Sequence, residues 1–120
     1  MESITAYSSS DLQFDNIDYV EVPGQADLST SVFYFMNINR LIINGSEACP
    51  SIFSENYGSV FEIIKSKVAL QGVISFHDNT ANHGPAFQLL DDTIVYLQNG
   101  LRANFTNNKA KSLGGAIYAT

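Results

Sequence analysis

One phrase occurs twice toward the end of this 120-residue chain, and it constrains the fold more than any other feature. The fuller copy places Phe105, Asn108, Ala110, Gly114, Gly115, Ala116 and Ile117 in that order. The earlier copy places Phe76, Asn79, Ala81, Gly84, Pro85, Ala86 and Phe87 in the same order. From the earlier copy to the later, Phe76 steps to Phe105 and Gly84 steps to Gly114, so the two landmarks keep almost the same spacing. Self-similarity at a period of roughly 20–50 residues marks a repeat architecture, in which one unit cannot bury its apolar face without its neighbours.

Two further landmarks keep the same order. Apolar strands centred on Phe33, Phe61, Phe87 and Ile117 recur at nearly even intervals. Strands that close on Gly45, Gly72 and Gly100 do the same. A degenerate copy of the Phe-x-x-Asn phrase, Phe53 and Asn56, precedes the other two at a somewhat shorter interval. The mean repeat unit is about 27 residues, inside the range of known repeat proteins. Each unit then holds about three short strands separated by turn residues. Residues 59–67 could form a short helix, but their alignment with residues 86–92 favours a strand and a turn. Little chain is left for crossover helices. Stacking each strand on its counterpart one unit earlier, about 4.8 Å away, buries a continuous core. The expected fold is all-β, a parallel β-helix of about three to four coils over residues 32–120.

The motif residues acquire physical jobs in such a column. Phe53, Phe76 and Phe105 stack inside. Asn56, Asn79 and Asn108 sit at successive corners, where amides satisfy turn backbone groups and one another. Ala81 and Ala110 are small because the corner is narrow. Gly114 and Gly115 turn the chain with positive φ. Pro85, standing where the later copy has Gly115, implies a different turn one residue shorter.

Residues 1–31 do not align with the units and read as an acidic leading segment, a partial cap or strand. They carry Glu2, Asp11, Asp15, Asp18, Glu21 and Asp27 without a Lys or Arg, whereas six acids balance six bases in the remainder. The net charge of −6 therefore belongs to this segment, which reads as a solvated face. Ile17 to Val22 alternates like a strand, Ser8-Ser9-Ser10-Asp11 reads as a loop, and Pro23-Gly24 reads as a turn. No basic stripe of the kind nucleic acid requires is present. No stretch approaches the roughly 18–20 apolar residues of a membrane span, and the first residues lack the pattern of a signal peptide. The chain is accordingly expected to be intracellular or an internal piece of a longer one. Its apolar end at Ile117 predicts continuation past Thr120.

Gly-Gly-Ala-Ile (Gly114 to Ile117) paired with Phe-x-x-Asn (Phe105 to Asn108) resembles the repeats of chlamydial polymorphic outer membrane proteins. Phe76 to Asn79 carries the second half, and Gly84 to Phe87 is a degenerate first half. Similar repeats occur in large surface proteins of some marine invertebrates. The resemblance covers residues 53–118 well and 32–52 faintly. It implies a right-handed parallel β-helix outside the cell, acting in adhesion on a surface protein or carbohydrate ligand. In the bacterial members it also implies an autotransporter-type barrel as anchor.

Catalytic and metal chemistry finds thin support, and no cofactor is expected. His77-Asp78 and Asp91-Asp92 suggest the paired carboxylates of a polysaccharide-cleaving enzyme, provided they converge about 5–10 Å apart. The plainer reading makes Asp91-Asp92 a turn equivalent to Lys65-Ser66, and His77 the counterpart of Thr106. His77 and His83, six apart without a nearby cysteine, do not make a metal site. The lone Cys49 excludes an internal disulfide and reads as a small buried or turn-adjacent residue. Asn44-Gly45-Ser46 and Asn104-Phe105-Thr106 are possible glycosylation sequons. Three functions remain: a non-enzymatic surface module, a carbohydrate-active β-helix enzyme, or an inactive piece of a structural solenoid.

Overall fold

A computed structural model describes residues 4–8, 11–20 and 31–120 of the chain. The expected turn at Pro23-Gly24, the acids at 2, 21 and 27, and residues 9 and 10 of the expected loop at 8–11 lie outside the described residues. Fourteen strands and no helix occur among the described residues, and every strand pairing is parallel. The chain is a β-solenoid of about four coils.

The first coil holds β1 (Ile4–Tyr7), β2 (Asp11–Asp15) and β3 (Asp18–Val20). The second holds β4 (Phe33–Met36), β5 (Arg40–Gly45) and β6 (Ser51–Ser54). The third holds β7 (Phe61–Ile64), β8 (Lys67–His77) and β9 (Thr80–His83). The fourth holds β10 (Phe87–Leu90), β11 (Ile94–Leu97), β12 (Arg102–Thr106) and β13 (Lys109–Leu113), after which β14 (Ile117–Ala119) opens another turn of the column. One face stacks β1, β4, β7, β10 and β14. The next stacks β2, β5, the first half of β8, and β11; the third stacks β3, β6, the second half of β8, and β12. Both faces share β8 because it bends at Gly72 (φ +72°), where an added Cβ would strike the Gly45 backbone. The leading segment thus supplies three strands in register with the second coil, where its sequence marked one.

Alternation along each strand sends one set of side chains into the column. Two aromatic stacks form the core. Phe33, Phe61 and Phe87 are register partners, with ring centroids 5.0 Å and 5.5 Å apart and planes within 21° and 18°. Phe53, Phe76 and Phe105 are likewise partners, at 5.1 Å and 5.3 Å with planes within 16° and 2°. The stacks meet edge to face, as between Phe53 and Phe61 (5.2 Å, 74°), which aromatic quadrupoles favour. A third aliphatic column of Leu12, Leu41, Val68 and Val95 completes the interior.

The uneven steps have local causes. Gly45 pairs with Gly72 but Ser51 with Ile74, so residues 46–50 carry an insertion that swings out of the second coil. That loop holds Cys49, which is exposed rather than buried; it sits in a turn closed by Ser46 N–H donating to Cys49 O at 3.1 Å. Gly100 is not a third member of the glycine column. Leu97 pairs with Leu70 and Arg102 with Val73, which leaves Gly100 in an outward loop with open space around it. At the last coil the apolar interior is uncovered: Phe105 is 36% exposed, and Leu70, Val95, Leu101, Phe105 and Ile117 line a wholly apolar hollow of about 240 Å³.

Candidate functional site

The repeated phrase builds a corner. Asn79 is fully buried. Its Nδ2 donates to Phe53 O and to Asn108 Oδ1, both at 3.0 Å. Its Oδ1 accepts from the Asn56 backbone N–H at 3.0 Å and from Asn56 Nδ2 at 2.9 Å. Asn108 repeats the pattern toward the open end, its Nδ2 donating to Phe76 O at 2.9 Å. At the other end, Asn56 Oδ1 is buried without a partner among the described residues. The residues preceding these asparagines by one, Glu55, Asp78 and Asn107, all take left-handed φ, at 56°, 59° and 52°. Polar side chains capable of local hydrogen bonds tolerate that conformation.

Gly84 and Gly114 make the next corner. Both have positive φ (+43° and +67°), and a Cβ on Gly114 would lie 2.8 Å from the Ile117 carbonyl carbon. Gly115 differs from expectation: its φ is not positive, and a Cβ there would meet nothing within 4 Å. The register explains why. Phe87 pairs with Ile117, so Pro85 stands opposite Gly115, and proline's ring, which fixes φ at a negative value, requires the ordinary conformation at that position. The two corners therefore share one form instead of having different turns. The extra residue of the later copy sits upstream, where β13 bulges: Ala110 pairs with Ala81, but Leu113 with His83. Ala81 is fully buried in the narrow corner, and Ala116 leads into β14.

The acidic candidates are not brought together. Asp78 follows β8 at the asparagine corner. Asp91 and Asp92 join β10 to β11 at another corner, with φ of 49° and 64°. Asp91 takes the position of Lys65, which has φ 50°, but residues 91–93 span the corner that 65–66 span in the coil before, so the expected match of Asp91-Asp92 to Lys65-Ser66 holds only for Asp91. His77 Nδ1 lies 2.9 Å from Asp78 Oδ2 on the exposed surface, and that hydrogen bond holds the Asp78 carboxyl below its ordinary value of 3.8. Asn107 and the nearby Lys109 act in the same direction. Among the described residues, no cluster of three or more His, Cys, Asp or Glu could hold a metal ion, and no helix is long and apolar enough to cross a membrane.

The two sequons differ in setting. Asn104 lies exposed on the outer face of β12. Asn44 is half-buried and donates from Nδ2 to Asp15 Oδ1 at 3.2 Å.

The outer face of β5, β8 and β11 holds a constellation that the motif search passes over. Arg40 opens β5 and Lys67 opens β8; Ile42, Ala69 and Tyr96 are register partners, while Asn44, Gln71 and Gln98 line up beside them. Arg40, Ile42, Lys67, Ala69, Gln71, Tyr96 and Gln98 are among the residues that line a trough of about 410 Å³. The signal was available in the spacing, because Arg40 to Lys67 and Asn44 to Gln71 to Gln98 all advance by one repeat unit. Reading it requires knowing that these positions point outward.

Nothing among curated proteins or solved structures matches the chain significantly. One family model does: residues 103–120, which span most of β12 and all of β13 and β14 and contain Phe105, Asn108 and Gly114 to Ile117, are similar to the Chlamydia polymorphic membrane protein (Chlamydia_PMP) repeat.

Proposed function

We propose that the chain is a non-enzymatic β-solenoid module of a cell-surface or secreted protein, acting in adhesion or display. The observation that carries this reading is the similarity of residues 103–120 to a polymorphic membrane protein repeat, within strands that stack in a parallel column. Stacked coils present their outward residues as ladders about 4.8 Å apart, a geometry suited to an extended ligand on a rigid face. The repeated residues themselves are absorbed by core and corners, which leaves outward positions free to vary for recognition. Asp78 and the Asp91-Asp92 pair occupy different corners, so the paired-carboxylate reading has no convergent site to support it. As part of this reading, the apolar end lined by Phe105 and Ile117 takes a neighbouring coil.

Beads coated with the chain should attach to cultured animal cells more than albumin-coated beads do. The protein should release no reducing ends or unsaturated products from polygalacturonate. Attachment at the albumin level, or turnover of the polymer, would refute the proposal.

A further inference from the structure

We infer that the trough on the outer face of β5, β8 and β11 binds a carboxylate-bearing oligosaccharide; this rests on the adhesive reading and names its ligand class. The observation behind it is a pair of exposed cations on one trough. Arg40 opens β5 and Lys67 opens β8, and both line it. Among the described residues neither cation has an ion-pair partner, although the chain as a whole is acidic. Lys65, in the turn just before β8, adds to the positive field in an adjoining hollow of about 470 Å³, where Asp92 is the lone acid among the described residues that line it. An anion seated between Arg40 and Lys67 accepts charge-assisted hydrogen bonds from both.

The rest of the trough favours a sugar over a bare anion. Ala69 lies between the larger Ile42 and Tyr96 in its column, so the floor is lowest at the centre. Tyr96, 48% exposed, offers a ring face against which the C–H face of a pyranose can pack. Gln71 and Gln98 bring amides, which both donate to and accept from hydroxyl groups. The volume falls within the range of small-molecule sites. Asp11 and Asp15 of the adjacent β2 are register partners of Arg40 and Asn44, so that neighbouring strand repels an acidic chain. The ligand therefore lies across β5, β8 and β11.

The test is calorimetric titration of the full chain with an oligogalacturonate and with its methyl ester, which keeps the shape and removes the charge. The acid form should bind, the ester about tenfold or more weakly, and Lys67→Gln should lose a similar factor, in line with loss of one charged hydrogen bond. Arg40→Gln should behave alike, Tyr96→Ala should weaken binding severalfold, and Lys111→Gln should change nothing. Without ligand, Lys67→Gln should be as stable as the parent, because Lys67 is exposed and makes no ion pair among the described residues. Equal binding of acid and ester, or undiminished binding by Lys67→Gln, overturns the inference. Equal competition by inorganic phosphate overturns the carbohydrate part of it. Bead attachment separates the two levels. Failure of the unsubstituted chain to attach to cells refutes adhesion itself. Attachment that Lys67→Gln leaves unchanged refutes only the trough.

Discussion

Removing the Asn79 amide probes the stacked corner most directly, because its cost follows from counted bonds. Its side chain takes part in four hydrogen bonds, two as donor and two as acceptor, in a site with no exposure. At about 1 kcal/mol net for each, Asn79→Ala should cost about 4 kcal/mol. Asn56 Nδ2, buried and left without a partner, pushes the figure upward rather than down. Asn108 takes part in three such bonds but is only half-buried, so water replaces part of what Asn108→Ala removes, and about 2 kcal/mol is expected. Asn56 has one side-chain bond, and its Oδ1 is already unpartnered among the described residues, so Asn56→Ala should cost about 1 kcal/mol. Urea unfolding followed by circular dichroism measures all three, with the midpoint shift at constant slope read as stability. The expected order is Asn79, then Asn108, then Asn56. An Asn79→Ala variant no less stable than Asn56→Ala would refute the claim that the amides act as a ladder.

Three other substitutions and one titration extend this. Gly114→Ala should destabilise markedly, because it places a Cβ against the Ile117 carbonyl at positive φ, while Gly115→Ala should be neutral in the same urea assay. Phe76→Ala, in the middle of its stack and fully buried, should cost about 3–5 kcal/mol, whereas Phe105→Ala at the uncovered end should cost clearly less; equal losses would mean that the stack does not govern burial. By carbon-detected NMR, Asp78 should titrate below 3.8. A depressed folded value means that its contribution to stability is present above the unfolded value and is lost as pH falls through the folded one. His77→Ala should move the Asp78 midpoint upward, and an unmoved midpoint would show that the hydrogen bond is not its main cause.

The sequence by itself determined the coiling. Phe53, Phe76 and Phe105, together with Phe33, Phe61, Phe87 and Ile117, keep one order at spacings too short for crossover helices, and only strands stacked in parallel bring both sets into columns. That much was legible because like residues stack on like, so periodicity survives in the text of the chain. Residues 4–20 escaped this reading: their contribution is Leu12 beneath Leu41 and Tyr19 beside Phe53, register partners that share no motif. Tertiary structure decided which glycine is strained, because the two are the same residue type and differ in their φ and in the approach of the Ile117 carbonyl to Gly114. It also decided the trough. Arg40, Lys67 and Tyr96 are ordinary surface letters until the column sets their strands side by side. A site on the outside of a solenoid is made by the stacking itself, from residues that no single coil contains.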